Sequence, residues 1–165
     1  MRLALQQLIV SASLCLTFAP AVAQASASAA SESRDAALAY IGTMNFAVGR
    51  LGRDCLNLTG ASETPQQFAS RWQQRNQRYV AASSKYLTQR LNEVQDKTQQ
   101  TALQAELSKA VQSSAAKILQ NWLGQGDKSS ACQRVLALVE RGDYDFNPTS
   151  EMYAELESLV RWAQP

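Results

Sequence analysis

The sequence predicts an all-α fold, roughly a five-helix up-and-down bundle with one long second helix and one disulfide. Three observations carry that expectation. Apolar residues recur at alternating steps of three and four along most of the chain, which lines them up on one side of a helix. No stretch shows the two-residue alternation of a half-buried strand. Two cysteines remain once an N-terminal targeting segment is set aside, and in an oxidising compartment an even pair reads as a bridge.

The targeting segment comes first. Arg2 precedes an apolar stretch from Leu8 to Phe18, broken only by Ser11, Ser13 and Thr17, and Pro20 leads into Ala21-Val22-Ala23. A charged region, a hydrophobic region and an A-x-A site make a secretory signal, so residues 1–23 are expected to be a cleaved signal peptide, with Ala25 the next cleavage choice. Cys15 leaves with it. The apolar stretch is well short of the roughly 20 residues a membrane crossing needs, so no stable membrane anchor is expected. From Ala25 to Ala30 only Ala and Ser occur, too little bulk to bury anything, and residues 24–32 are expected to be a disordered leader.

Residues 33–165 then form a single helical domain, within the common domain size of about 100 to 150 residues. The full sequence carries 16 Lys and Arg against 14 Asp and Glu, so the domain is near neutral.

Its first helix spans Ser33 to Leu58, with Ala37, Ile41, Met44, Val48, Leu51 and Cys55 on one core-facing stripe. Gly60 can end it. Thr64-Pro65-Gln66-Gln67 offers an N-cap, a proline at the first helical position and a capping-box glutamine. No Gly or Pro occurs between Pro65 and Gly124, yet the hydrophobic phase breaks. Leu87, Leu91 and Val94 make one stripe and Leu103, Leu107 and Ala110 another, and the step from Val94 to Leu103 turns a helix by half a revolution. The break is therefore placed at Asp96 to Gln100. The long second helix runs from Pro65 to about Gln95 and the third from about Thr101 to Leu123, closed by Gly124 and Gly126.

The fourth helix starts near Ser130, turns Cys132, Val135, Leu136 and Val139 inward, and stops at Gly142. Pro148 is expected to open the fifth, with Met152, Leu156, Leu159, Val160 and Trp162 on its apolar side. In an up-and-down bundle the end of the first helix lies beside the start of the fourth. Cys55 and Cys132 sit at those two ends, so the layout and the disulfide support each other. A bridge closing so long a loop is credited with about 4 to 5 kcal/mol by the chain-entropy model.

The chain contains no histidine. His-based acid–base catalysis, Ser-His-Asp and Cys-His arrangements, nearly all catalytic zinc and haem sites, and Glu-x-x-His di-iron sites are thereby excluded. No cofactor or catalytic residue is expected. Ser114-Ala115-Ala116-Lys117 matches S-x-x-K, but without its companion motifs. Glu32-Ser33 and Glu157-Ser158 echo the Glu-Ser pair of lytic transglycosylases, with no other element of that family. Asp143, Asp145 and Asn147 have the spacing of a calcium loop, but Pro148 and Ala154 stand where Gly and Glu are needed, so a turn is the expected role.

The second helix holds the candidate site. It has no acidic residue between Glu63 and Glu93, and Arg71, Arg75 and Arg78 share a face beside Trp72 and Tyr79. Such a face suits an anionic envelope ligand or an acidic protein surface. The competing expectation is that the aromatics are core and that the acidic C-terminal part, including Glu140, Asp145 and Glu157, pairs with the arginines internally.

The functional expectation is a periplasmic binding protein of a Gram-negative bacterium, without nucleic acid as a partner. The favoured role is interaction with another envelope protein, as an inhibitor, immunity or accessory factor. The alternative is a carrier or sensor of an apolar or anionic small molecule, with Trp72, Tyr79, Trp122 and Trp162 as wall residues; a carboxylate-based hydrolase ranks third. A partner-binding protein should show an exposed apolar or charged patch, and a carrier a pocket of about 300 Å³ or more.

Overall fold

The computed structural model describes residues 21–124 and 126–165. The bulk of the expected signal peptide, residues 1–20 with Cys15, lies outside the described residues. Six α-helices and no strand occur among the described residues, so the fold is an all-α bundle.

Helix α1, Ala21–Cys55, is the central post. All six expected stripe residues, Ala37 to Cys55, are buried. The helix also covers residues 24–32, where a disordered leader was expected. Alanine has the highest helix propensity and serine only a modest penalty, so the composition of this stretch suits a helix. After Cys55 a 3-10 turn, Asn57–Thr59, ends at Gly60, whose φ of 69° is the left-handed conformation a glycine supplies.

Helix α2, Pro65–Arg75, begins with the expected capping box. The Gln67 N–H donates to Thr64 Oγ1 (3.2 Å) and the Thr64 N–H to Gln67 Oε1 (3.0 Å). The single long second helix, however, is broken at Asn76, and α3 runs from Gln77 to Asn92. Asn76 is almost wholly buried and its amide is committed. Its Nδ2 donates to Trp72 O (2.9 Å) and Asp145 Oδ1 (3.0 Å), while its Oδ1 accepts the Phe146 N–H (2.8 Å). A buried amide stays where its partners are, and its backbone leaves the helical angles to reach them.

Helix α4, Lys97–Leu123, starts after Asp96, whose side chain accepts the Gln99 N–H at 2.8 Å. The phase break is thus real, though the helix begins at Lys97 rather than Thr101. Helix α5, Lys128–Arg141, likewise starts two residues before Ser130, capped by Asp127. Helix α6, Tyr153–Ala163, does not open at Pro148 as expected. Asn147 Oδ1 accepts the Thr149 N–H (2.9 Å) and hydroxyl (2.6 Å), a local turn that competes with the helix.

The chain runs up along α1, down along α2 and α3, up along α4, and down along α5 and α6. Two of the four arms are broken, and the break at Asn76 adds the one helix beyond the expected five. Tyr86 Oη donates to Asp35 at one end (2.9 Å) and Gln73 Nε2 to Asn45 further along (2.8 Å), fixing α2–α3 antiparallel to α1. Cys55 and Cys132 form a disulfide with Cα atoms 5.2 Å apart, at the end where the topology brings them together. Phe146, from the α5–α6 connection, centres the core against Tyr40, Trp72 and Tyr79, with ring centroids 5.3–5.6 Å apart.

Candidate ligand cleft

The face expected to bind an anion or partner is assembled, but its charges are met from within. Arg71 pairs with Glu63 and Glu140. Arg75 holds Asp145 through Nε (2.6 Å) and Nη2 (3.1 Å), and donates from Nη2 to Val139 O (2.6 Å). Arg78 pairs with Glu157 and donates to Tyr79 Oη (2.8 Å), while Tyr79 Oη donates to Glu157 (2.9 Å). Desolvation works against the charged form of Arg71, yet its hydrogen bonds to Glu140 and Glu63 and their charges hold its pKa above the ordinary value. Trp72 and Tyr79 are buried, and Trp72 Nε1 donates to Tyr144 O (3.1 Å). The face is a clasp between the second and fourth arms. An external anion would have to displace an internal carboxylate.

Other sequence candidates are also occupied. Asp145 serves Arg75 and Asn76, Asp143 accepts from Arg141 (2.6 Å), and Asn147 is spent in its own turn. Among the described residues, no group of three or more His, Cys, Asp or Glu is placed to hold a metal ion. Glu157 of the second Glu-Ser pair is engaged by Arg78 and Tyr79.

The opposite side of α1 is different. Helix α4 packs along α1, and at one point a Cβ on Gly42 would stand 3.2 Å from Val111 Cγ2, so the glycine lets the two helices meet there. Beside that contact, α3 and α4 touch only sparsely. Between them a cleft of about 290 Å³ opens onto α1. Leu38, Ala39, Gly42 and Thr43 of α1 form its floor, Leu87 of α3 one wall, and Leu107, Ala110 and Val111 of α4 the other. Gln104, Ser108 and Ser114 bring polar groups to its α4 side. Ser114 of the S-x-x-K match is therefore a lining residue, while Lys117 stands exposed a turn later. No charged side chain lines the cleft.

The packing explains the opening. Ala115 is the one fully buried residue of α4, a helix of 27 residues. Leu103, Leu107, Val111 and Leu87 are only half-buried, and Ala110 is exposed. The proposed wall residues lie elsewhere: Trp72 and Tyr79 in the core, Trp122 on Tyr144 (4.4 Å) and Trp162 on Tyr86 (5.0 Å). Their ring partners claim them. The stripe Leu103-Leu107-Ala110 was visible in the sequence as apolar, but its incomplete cover follows from the sparse contact between α3 and α4.

Comparison with known proteins gives no match, whether to a family model, a curated protein or a solved structure. No helix among the described residues is long and apolar enough to cross a membrane.

Proposed function

We propose that this is an exported, non-catalytic binding protein whose ligand is an apolar small molecule held in the α1–α3–α4 cleft. The observation that carries the reading is a half-enclosed apolar cleft on a helix that buries one alanine. Its volume of about 290 Å³ lies at the lower edge of small-molecule sites, which span about 300 to 1,000 Å³, and its walls are apolar with a few placed polar groups. The buried Cys55–Cys132 disulfide supports an oxidising compartment, as does the signal-like N-terminus.

The protein-partner reading receives less support. Leu58 is the exposed large apolar residue among those described, too little for a hydrophobic patch, and the arginine clasp is internally matched. The test is organic extraction of the protein isolated from its own cell envelope, followed by mass spectrometry. The expected result is an apolar molecule near one per chain that is lost in Ala110→Trp. A stoichiometric protein partner with no co-purifying small molecule would overturn the proposal.

A further inference from the structure

We infer that the cleft is shaped for one linear hydrocarbon chain of about ten carbons carrying an uncharged, hydrogen-bonding head. The inference rests on the binding role proposed above and narrows it to a ligand class. The cleft follows α4 from Gln104 to Ser114, a run of about 15 Å at the helical rise of about 1.5 Å per residue. A methylene fills close to the roughly 30 Å³ of liquid volume that a water molecule takes, so about 290 Å³ holds about ten such groups. With bonds of about 1.5 Å set at the tetrahedral angle, ten groups in an extended zigzag span about 12 Å, which fits that run in single file and leaves the remainder to the head. Two chains side by side over that run would need about twice the volume the cleft offers.

The floor has the same character. Ala39 and Gly42 leave it free of bulk, and Leu38, Leu87 and Leu107 flank it with branched apolar side chains. The lining ends at Gln104 and Ser114, so a chain longer than that run extends past the cleft and gains no further apolar contact.

The head is uncharged because the lining is. Thr43, Gln104, Ser108 and Ser114 supply hydroxyls and an amide, which match an alcohol, ester or amide. A carboxylate or ammonium placed there would lose part of its hydration and meet no counter-charge among the lining residues. No arginine or lysine is among the lining residues, and Arg71, Arg75 and Arg78 are held by carboxylates on the arms away from α4.

The experiment is titration calorimetry of the oxidised protein with straight-chain alcohols from hexanol to tetradecanol, and with decanoate and decyltrimethylammonium. The expected result is tightening of about fourfold per methylene, the value of one buried methylene, up to decanol, and no further gain beyond dodecanol. Both charged C10 probes should bind at least tenfold more weakly than decanol. Ala110→Trp and, from the rim, Ser108→Trp should each abolish decanol binding while the far-ultraviolet circular dichroism stays native. Affinity climbing steadily through tetradecanol, decanoate matching decanol, or native-like Trp variants that still bind decanol would overturn the inference. No binding by any alcohol would overturn the cleft as a ligand site altogether.

Discussion

The two sides of α1 are packed to different purposes. On one, α2, α3, α5 and α6 enclose Trp72, Phe146, Leu51 and Leu156, the disulfide ties two arms, and the clasp from Arg75 to Asp145 locks the other end of α5 to α2. On the other, α4 runs along α1 with a close approach at Gly42, packs its C-terminal half partly against the core and fully buries one alanine. The first side uses its apolar residues for stability, the second leaves its leucines only partly covered. Apolar surface left open on an otherwise well-packed domain is where a ligand can add what the fold has not, and the difference can be measured.

The largest effect is expected on the packed side. Replacing Cys55 and Cys132 with Ala should lower stability by about 4 kcal/mol, read from urea unfolding, because the bridge closes a loop with a sequence separation of 77 residues. Next comes the direct comparison of two leucines. Leu51→Ala, at a fully buried position, should cost about 3 kcal/mol, and Leu107→Ala, half-buried at the cleft, about 1 kcal/mol. Equal losses would erase the contrast between the two sides.

Asn76→Ala should cost about 2 kcal/mol, since it strands the Phe146 N–H in the core and frees Asp145 from one donor. A smaller loss would mean that the kink between α2 and α3 is held by the chain's other contacts. The smallest effect is a pH dependence. The carboxyl of Asp127, accepting the Ser130 N–H and hydroxyl at the start of α5, has its pKa lowered from the ordinary 3.8. A lowered folded-state value means that its stabilisation is present above pH about 4 and is lost as pH falls through the folded value. Thermal unfolding of Asp127→Ala should therefore fall below the wild type at neutral pH and converge on it in acid.

How far the fold could be read from the sequence divides along the same line. Stripes and caps are local, so α1, the Thr64–Gln67 box and the break before α4 were legible from residue spacing alone. The Cys55–Cys132 pairing followed from topology once the arms were counted. The kink at Asn76 was not legible, because an asparagine inside a helical pattern is ordinary until Asp145 and Phe146 come to meet it. Pro148 misled for a local reason: Asn147 turned the chain before a helix could form. For the candidate site, the arginine face was visible as a cluster and its acidic partners as a run, yet only the fold pairs them. The cleft left the fainter signal, since an apolar stripe looks the same in sequence whether it is covered or not.

The central claim is that α4 and the cleft wall of α3 stand ready for a ligand. Hydrogen exchange of the backbone amides, followed by mass spectrometry with and without decanol, tests it most directly. In the free protein α4, Lys97–Leu123, should exchange faster than α1 from Ala37 to Cys55, and decanol should slow exchange in α4 and around Leu87 while leaving α5 and α6 unchanged. Exchange in α4 as slow as in α1, and unaltered by decanol, would contradict it.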